Sequence, residues 1–598
     1  MNGTKATNEI GARWWLALVA LVAAGFLLWT FGELREAADP KWEDTEGYLA
    51  HSLYIAEHGG IAGYLKESFA GTFPIVERHP LYMLMLAPFA ERTADFFWEA
   101  KLFNLATGLV VLLTLVWMVA QRYGRGPAVL AGLLFAVSNS LVVSSSHVNH
   151  EPHLMFCMLW TWWFLTGPDP DRPVVLSEGG TVSAPTEMPR SLSRWALAGM
   201  WLGLAYMVKS SVILVAVAIV VAGLWREQLR FLASPRIWVL LVVAIVVSSP
   251  LLVRNVRAHG TPIYEGINSH IMWLDDWRQL GSEDTIIYYD NYGVHYLEKN
   301  ALPTARDYLH SHTLADIAGR LARGLKDQLT RVTLLAVSPA FEAPTEDLQT
   351  VWGRSVKAWG LAVLVFAVAG WWMRRRSWEA TLIFFSTGAF LAFFSWNTLF
   401  PVFRYWAPLV PVWISLSAYA LWSLAERLFQ ARAAWRVAVV AVVAVVVLLA
   451  GWTATSGALT RPQPLLGSSP AYLRLVDWMN RSIEPGDRVV LGPTREFYGL
   501  GWMVERPAHF LLAPNVETLE AFLRSQRERN ARYIIMNPDF LERSPAGLQA
   551  ALADYVAMTP EGSIIDQQPL PGWQVVYRDP GVPSRFMIYE TLSDVDAG

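Results

Sequence analysis

The sequence predicts a mostly α-helical, multi-pass membrane protein of about eleven transmembrane helices, followed by an extramembrane α/β domain. Three observations carry that prediction. Hydrophobic residues make up 54% of the 598 residues and charged residues only 17%, a low charge content for a water-soluble chain of this length. The apolar residues come in blocks separated by long polar stretches, as spanning segments require. From residue 460 the blocks give way to alternating helix-like and strand-like segments, the pattern of a small layered α/β domain.

The spanning segments begin near Trp14, Leu102, Ala128, Leu154, Trp195, Val212, Trp238, Val356, Thr381, Tyr405 and Val437. The first, from Trp14 to Phe31, follows Lys5 and Arg13 and lacks a small-residue cleavage site, so it reads as a retained helix rather than a signal peptide. The 29 tryptophans suit interfacial aromatic belts. A net charge of −3 gives no sign of a nucleic-acid partner, and one cysteine, Cys157, excludes an internal disulfide framework.

Arginines recur in alternate loops: Arg122 and Arg125; Arg172, Arg190 and Arg194; Arg226, Arg230 and Arg236; Arg374, Arg375 and Arg376; Arg427, Arg432 and Arg436. The positive-inside rule therefore predicts a plasma (inner) membrane protein with a cytoplasmic N-terminus and an extracytoplasmic C-terminal domain. On this reading residues 1–459 form the membrane domain, with long outer loops at 32–98 and 254–353, and residues 460–598 form the outer α/β domain. The inner loop at 167–194 is rich in Pro, Ser and Gly and carries no chemistry. In the C-terminal part, YLRLVDWMNRS, VETLEAFLRSQRERN and AGLQAALADYVAM read as helices, and RVVLG, RYIIMN, WQVVYRD and RFMIYE as strands. GLGWMV lacks the spacing of a dinucleotide fingerprint.

Ionisable residues collect where the chain meets the predicted outer face. In KWEDTEGYLAHSLYIAEHGG, helical spacing puts Asp44, Tyr48, His51 and Ile55 on one stripe. The plainer reading of Asp44 is a helix N-cap, with Glu46 in the first turn. Glu77, Arg78 and His79 precede Pro80, which suits a helix start, and Tyr82 follows. There they either offer donors to an anion or contact lipid headgroups. SSSHVNHEPHL crowds His147, His150, His153 and Glu151 into a short turn. Its spacing makes an incomplete metal site; an acid beside a span points to function, while the plainer reading of Glu151-Pro152 is another helix cap. Lys209 either snorkels to the interface or meets a phosphate. Arg254 and Asn255, and Arg404 and Tyr405, stand at other outer helix ends. A surplus of outer cations beside acids suggests an anionic ligand.

In order along the chain, these motifs resemble the GT-C superfamily of polyprenyl-phosphate-sugar-dependent glycosyltransferases. The likeness is to the branch holding protein O-mannosyltransferases and lipid A aminoarabinose transferases. The residues that carry it are Asp44 with Tyr48; Arg78, His79, Pro80, Leu81 and Tyr82; Glu151-Pro152; Gly203, Leu204, Ala205 and Lys209; Pro250, Arg254, Asn255 and Gly260; and Arg404, Tyr405 and Pro408. Three departures stand out. Asp44 is followed by Thr45 rather than an acid, the second acid is Glu151 rather than Asp, and Glu77-Arg78-His79-Pro80 has one residue more than a Glu-Lys-Pro motif.

The resemblance implies sugar transfer from a polyprenyl-phosphate donor to a lipid, glycan or protein acceptor at the outer face, with inversion. It implies Asp44 as the base, aided by Glu151. It implies Arg78, His79, Lys209, Arg254, Asn255, Arg404 and Tyr405 as the donor phosphate's surroundings, and Tyr48, Glu77 and Tyr82 as cavity wall. It names no metal ligands and no certain cofactor; a divalent metal stays open because some superfamily members use one. The alternatives are a transporter or flippase, or a polymerase or ligase, acting on lipid-linked sugars. A transporter should show internal repeats and broken helices near the bilayer midplane; no convincing repeat is evident, and the ionisable residues cluster at the outer face.

Overall fold

The computed structural model describes residues 12–36, 44–168, 187–276, 286–299, 302–338, 351–396, 403–428, 470–491, 501–561, 563–581 and 584–592, with a few isolated positions between them. The helices run in order α1 (Ala12–Glu36), α2 (Thr45–Glu57), α3 (Gly60–Ala70), α4 (Pro80–Leu86), α5 (Ala94–Tyr123), α6 (Arg125–Ala136), α7 (Asn139–Ser146), α8 (Glu151–Thr166), α9 (Leu192–Tyr206) and α10 (Ile213–Glu227). They continue with α11 (Arg230–Ala233), α12 (Pro235–His259), α13 (Asn268–Ile271), α14 (Ala305–Ser311), α15 (Leu314–Asp327), α16 (Thr333–Ala336), α17 (Val351–Met373), α18 (Trp378–Trp396) and α19 (Val410–Leu428).

Apolar runs of this length form helices because a bilayer offers backbone groups no other partner. Five helices of the described residues are long and apolar enough to cross a membrane: Arg13–Arg35, Ala94–Tyr123, Ser210–Glu227, Pro235–His259 and Trp378–Trp396. The segment expected from Val437 lies mostly outside the described residues, as does most of the 167–194 loop. The segment expected from Ala128 is broken: α6 stops at Ala136, and Ser138, with extended backbone, starts α7.

One close helix pair matters for the site. A Cβ on Gly199 of α9 would overlap the Leu240 carbonyl of α12, and one on Gly203 would sit 2.7 Å from the Ala244 oxygen. Small residues four apart let the two backbones approach, so α9 is fixed against α12 and delivers Lys209 just beyond its end. α12 itself starts cleanly, with Pro235 in its first turn and Ser234 accepting the Arg236 N–H. It stops at Gly260, whose φ of +73° suits a residue without a Cβ.

The strands are β1 (Ile286–Tyr289), β2 (His295–Lys299), β3 (Arg488–Leu491), β4 (His509–Leu512), β5 (Tyr533–Met536), β6 (Val556–Met558), β7 (Ile564–Asp566), β8 (Trp573–Arg578) and β9 (Met587–Thr591). Seven of them form one mixed sheet in the order β2-β1-β4-β3-β5-β9-β8; β6 and β7 pair separately. β3 pairs in parallel with β4 and β5, and β9 runs antiparallel to β5 and β8. The sheet is not built from the C-terminal part alone. The β1–β2 hairpin comes from the stretch between α12 and α17 and joins through Tyr288 opposite Leu511 and Tyr289 opposite Phe510. One apolar cluster runs without a break from Leu49, Leu53, Tyr82 and Phe96 into Val489, Trp502, Phe510 and Ile588. The α/β unit therefore rests directly on α2, α4 and the start of α5.

Candidate functional site

Asp44 stands at the N-cap position of α2, yet its side chain makes no cap bond. It is spent on two guanidiniums instead. Arg78 Nη2 donates to Oδ1 at 3.2 Å, and Arg404 Nη2 donates to Oδ2 at 2.8 Å. Arg78 reaches it by lying across Gly47, where a Cβ would overlap the guanidinium. The start of α2 is also tied to the turn before α8, because Thr45 Oγ1 donates to the Val148 carbonyl at 3.2 Å. Of the two readings open from sequence, the backbone keeps the cap position while the carboxylate faces the cluster.

Glu151 begins α8 with Pro152 behind it, as an acid in a first turn should. It is fully buried. Its Oε1 faces Lys209 Nζ at 3.3 Å, His150 Nε2 at 3.5 Å and Arg404 Nε at 3.9 Å. Lys209 sits in extended backbone between α9 and α10, 4.8 Å over the Tyr405 ring. Tyr405 in turn stacks on Phe394. Arg404 also donates to Asn149 Oδ1 at 3.4 Å. It thus bridges the two acids.

Tyr48 and Tyr82 line the same region edge to face, 5.0 Å apart. The Tyr48 hydroxyl is hydrogen-bonded to His150 Nδ1. Burial first, then Asp44 and Glu151, push the Tyr48 hydroxyl well above its ordinary range, so it stays protonated. The Tyr82 hydroxyl donates to Asn104 Oδ1 at 2.9 Å, and Asn104 Nδ2 donates to the His147 and Asn149 carbonyls, both at 2.7 Å. Tyr82 therefore props the turn that carries Asn149, His150 and Glu151.

The other candidates form a second ring. His79 Nδ1 lies 2.6 Å from the Tyr206 carbonyl and Nε2 lies 3.6 Å from Glu265 Oε1. Burial disfavours the Glu265 charge, yet hydrogen bonds from His79 and Ser210 with the His79 and Lys209 charges leave it below the usual carboxylate range. Glu77 Oε1 faces His295 Nδ1 at 3.6 Å, beside the turn of the β1–β2 hairpin. Arg254 donates to the Ile75 carbonyl, and Asn255 to the Pro262 carbonyl at 3.0 Å. These two side chains hold the loops at 72–78 and 260–264 in place and make no bond to Asp44 or Glu151.

The inner group thus sets three cations, Arg78, Lys209 and Arg404, against two carboxylates, Asp44 and Glu151. Within this inner group the cations outnumber the carboxylates by one, with Glu46 and Glu77 near Arg78 and Glu265 near Lys209, and the side chains are mostly buried, where charge acts more strongly than in open water. The arrangement suits an anion. As arranged it does not suit a metal ion, because each carboxylate is already faced by a cation; no three metal-ligating side chains converge among the described residues.

Several participants carried weak signals in sequence or none. Asn149 and His150 lie in the histidine-rich turn just before Glu151. Glu265 and His295 come from the long stretch after α12, and nothing in their local sequence marks them. Asn104 is an amide inside an apolar helix, the one signal that could have flagged it.

Residues 42–251, about a third of the chain, match the family model for dolichyl-phosphate-mannose-protein mannosyltransferase. The match includes Asp44, Arg78, Glu151 and Lys209. No curated protein matches the chain in sequence. Among solved structures, the oligosaccharyltransferase of Archaeoglobus fulgidus with a tethered acceptor peptide is similar at 13% identity, over 93% of this chain and 74% of that one, with a TM-score of 0.50. ArnT from Cupriavidus metallidurans bound to undecaprenyl phosphate is similar at 14% identity, over 98% and 99%, also with a TM-score of 0.50. At these identities the likeness is one of fold.

Proposed function

We propose that the chain is a member of the GT-C superfamily, an integral-membrane glycosyltransferase that takes its sugar from a polyprenyl-phosphate donor and works at the outer face of the plasma membrane. The observation that carries this reading is the joining of Asp44 and Glu151 with Arg78, Lys209 and Arg404. The family match and the arginine-rich opposite end of the bundle support it as well.

In the proposed reaction the acceptor hydroxyl gives its proton to Asp44. Its oxygen forms a bond to the anomeric carbon as the bond from that carbon to the phosphate oxygen breaks, with inversion. The bonding pair leaves on the polyprenyl phosphate. Arg404, Lys209 and Arg78 face that growing negative charge, which is electrostatic stabilisation by groups already in place. Those cations are also the partners of the two acids. A phosphate that draws Arg404 toward itself also loosens its hold on Asp44, so the donor makes room for the acceptor at the base. Glu151 holds Lys209 and Arg404 within reach, and Tyr48 and Tyr82 form the wall beside them.

The test offers purified protein labelled polyprenyl-phosphate sugars and membrane extracts, with Asp44→Asn in parallel. Transfer by the wild type and its loss in the variant are expected. No transfer from any donor, or equal transfer by the variant, would sink the reading.

A further inference from the structure

His150 lies between two groups of the proposed site and is not itself required by the transfer chemistry. Its Nδ1 meets the Tyr48 hydroxyl, and its Nε2 points at Glu151 Oε1 from 3.5 Å. Among the described residues, His150 Nε2 and Glu151 Oε2 are both buried without a hydrogen-bond partner. The charged and titratable groups facing the ring are Tyr48 and Asp44 at the start of α2, His79 before α4, Glu151 beside it, Lys209 after α9 and Arg404 before α19.

A buried carboxylate that loses its cations is costly. Glu151 faces that cost if Lys209 and Arg404 turn to a donor phosphate. We propose that His150 is a positioning residue that takes up one proton when the donor's phosphate binds, replacing at Glu151 the positive charge that Lys209 and Arg404 turn toward the phosphate. This rests on the functional reading above and adds to it a coupling between donor binding and protonation.

The electrostatics agree in sign. Burial first, then Lys209 and Arg404, hold the imidazole well below its ordinary range, so it is neutral near pH 7. A phosphate beside those two cations cancels their influence, while Glu151 still favours the charged ring. The bound-state pKa is therefore the higher one. Between the two values binding takes up a proton, so affinity rises as pH falls, by at most about tenfold per pH unit for one proton.

The experiment uses the full chain in detergent and a polyprenyl phosphodiester such as the methyl ester, whose single charge is constant from pH 5 to 8. Titration calorimetry in buffers of different ionisation enthalpy counts the protons directly. The wild type should bind more tightly at low pH with net uptake approaching one proton. His150→Gln can still accept from Tyr48 and donate to Glu151, but it cannot take a charge. It should bind with a flat pH profile and no uptake, and Glu151→Gln should flatten the profile too. Measurable wild-type binding that is independent of pH, or a slope that survives in His150→Gln and so belongs to another group, overturns this proposal alone. Absence of binding at every pH overturns the donor reading as well.

Discussion

Arg404 joins the two acids of the site: its Nη2 is 2.8 Å from Asp44 Oδ2, and its Nε is 3.9 Å from Glu151 Oε1. A planar fork can reach both because its nitrogens diverge from one carbon, whereas an ammonium is a point charge. Arg404→Lys should therefore keep the net charge and lose the bridge. One charge-assisted hydrogen bond is worth about 1.5–3 kcal/mol, so kcat/KM for the donor should fall roughly 10- to 100-fold. Steady-state transfer rates at varied donor concentration check this, and an unchanged kcat/KM would mean that the bridge plays no part.

Asp44→Asn keeps the volume of the side chain and removes the proton acceptor. The transfer rate should drop by about 10²–10⁴-fold, the usual contribution of a positioned base. Donor affinity should hold or rise, because Arg78 and Arg404 are released from a carboxylate. Rate and donor binding measured on the same preparation separate loss of chemistry from loss of fold.

Gly47 offers a finer probe of the same contact. A Cβ there would overlap the Arg78 guanidinium, the far end of a flexible side chain. The backbone is helical at this position, so alanine should favour α2 by about 0.5–1 kcal/mol. Gly47→Ala should thus leave thermal stability unchanged or slightly raised while pushing Arg78 off Asp44. A loss of roughly tenfold in kcat/KM is the expected outcome, about the worth of a weakened ion pair. A variant that melts early with normal specific activity would contradict this placement of Arg78.

How far the sequence foretells these contacts depends on their range. Apolar blocks are local, and most of the helix starts were legible from them. The acids and bases at helix ends were legible too, because charge beside a span is costly and stands out. What local pattern cannot carry is partnership. Asp44 has every local mark of a cap, and only residues 34 and 360 positions away take its carboxylate from that role. Arg254 and Asn255 have the look of ligand-binding residues, yet their bonds go to backbone carbonyls. The β1–β2 hairpin joins strands more than 200 residues later, and a short pair such as IIYY and HYLEK gives no hint of that edge. β4 was missed for a related reason, since HFLL is a short, continuous apolar run with no alternation.

The α/β unit is pinned to the membrane part through Arg92. Its Nε and Nη2 donate to the two Glu57 oxygens at 2.9 and 3.0 Å, and its Nη1 donates to the Trp502 and Val504 carbonyls at 3.2 and 2.7 Å. Tyr292 of the hairpin adds a bond to Glu57 at 2.6 Å. Arg92→Ala cuts several of these ties at once while leaving the apolar contact of Phe96 with Trp502. Amide exchange should speed up locally in residues 501–505 and at the hairpin turn, with the core strands β3 and β5 protected as before. Hydrogen-exchange mass spectrometry reads this out, and unchanged exchange in both segments would show that the apolar contact suffices.

The opposite end of the bundle carries an ion cluster that should matter for stability alone. Glu379, buried in the first turn of α18, accepts from Arg122 and from the Tyr123 hydroxyl at 2.8 Å, and faces Arg374 Nε at 3.3 Å. Arg122 lies 18 residues beyond Asn104 on α5, so about 27 Å separate this cluster from the turn that holds Glu151. Glu379→Gln leaves two largely buried guanidiniums facing a neutral amide, and breaking a buried pair in this way costs about 3–5 kcal/mol. The variant should melt well below the wild type, yet the fraction that stays folded should transfer sugar at the wild-type rate per molecule. Melting curves and specific activity measured below the transition test both halves, and a loss of activity without a loss of stability would mean that the two ends of the bundle are coupled.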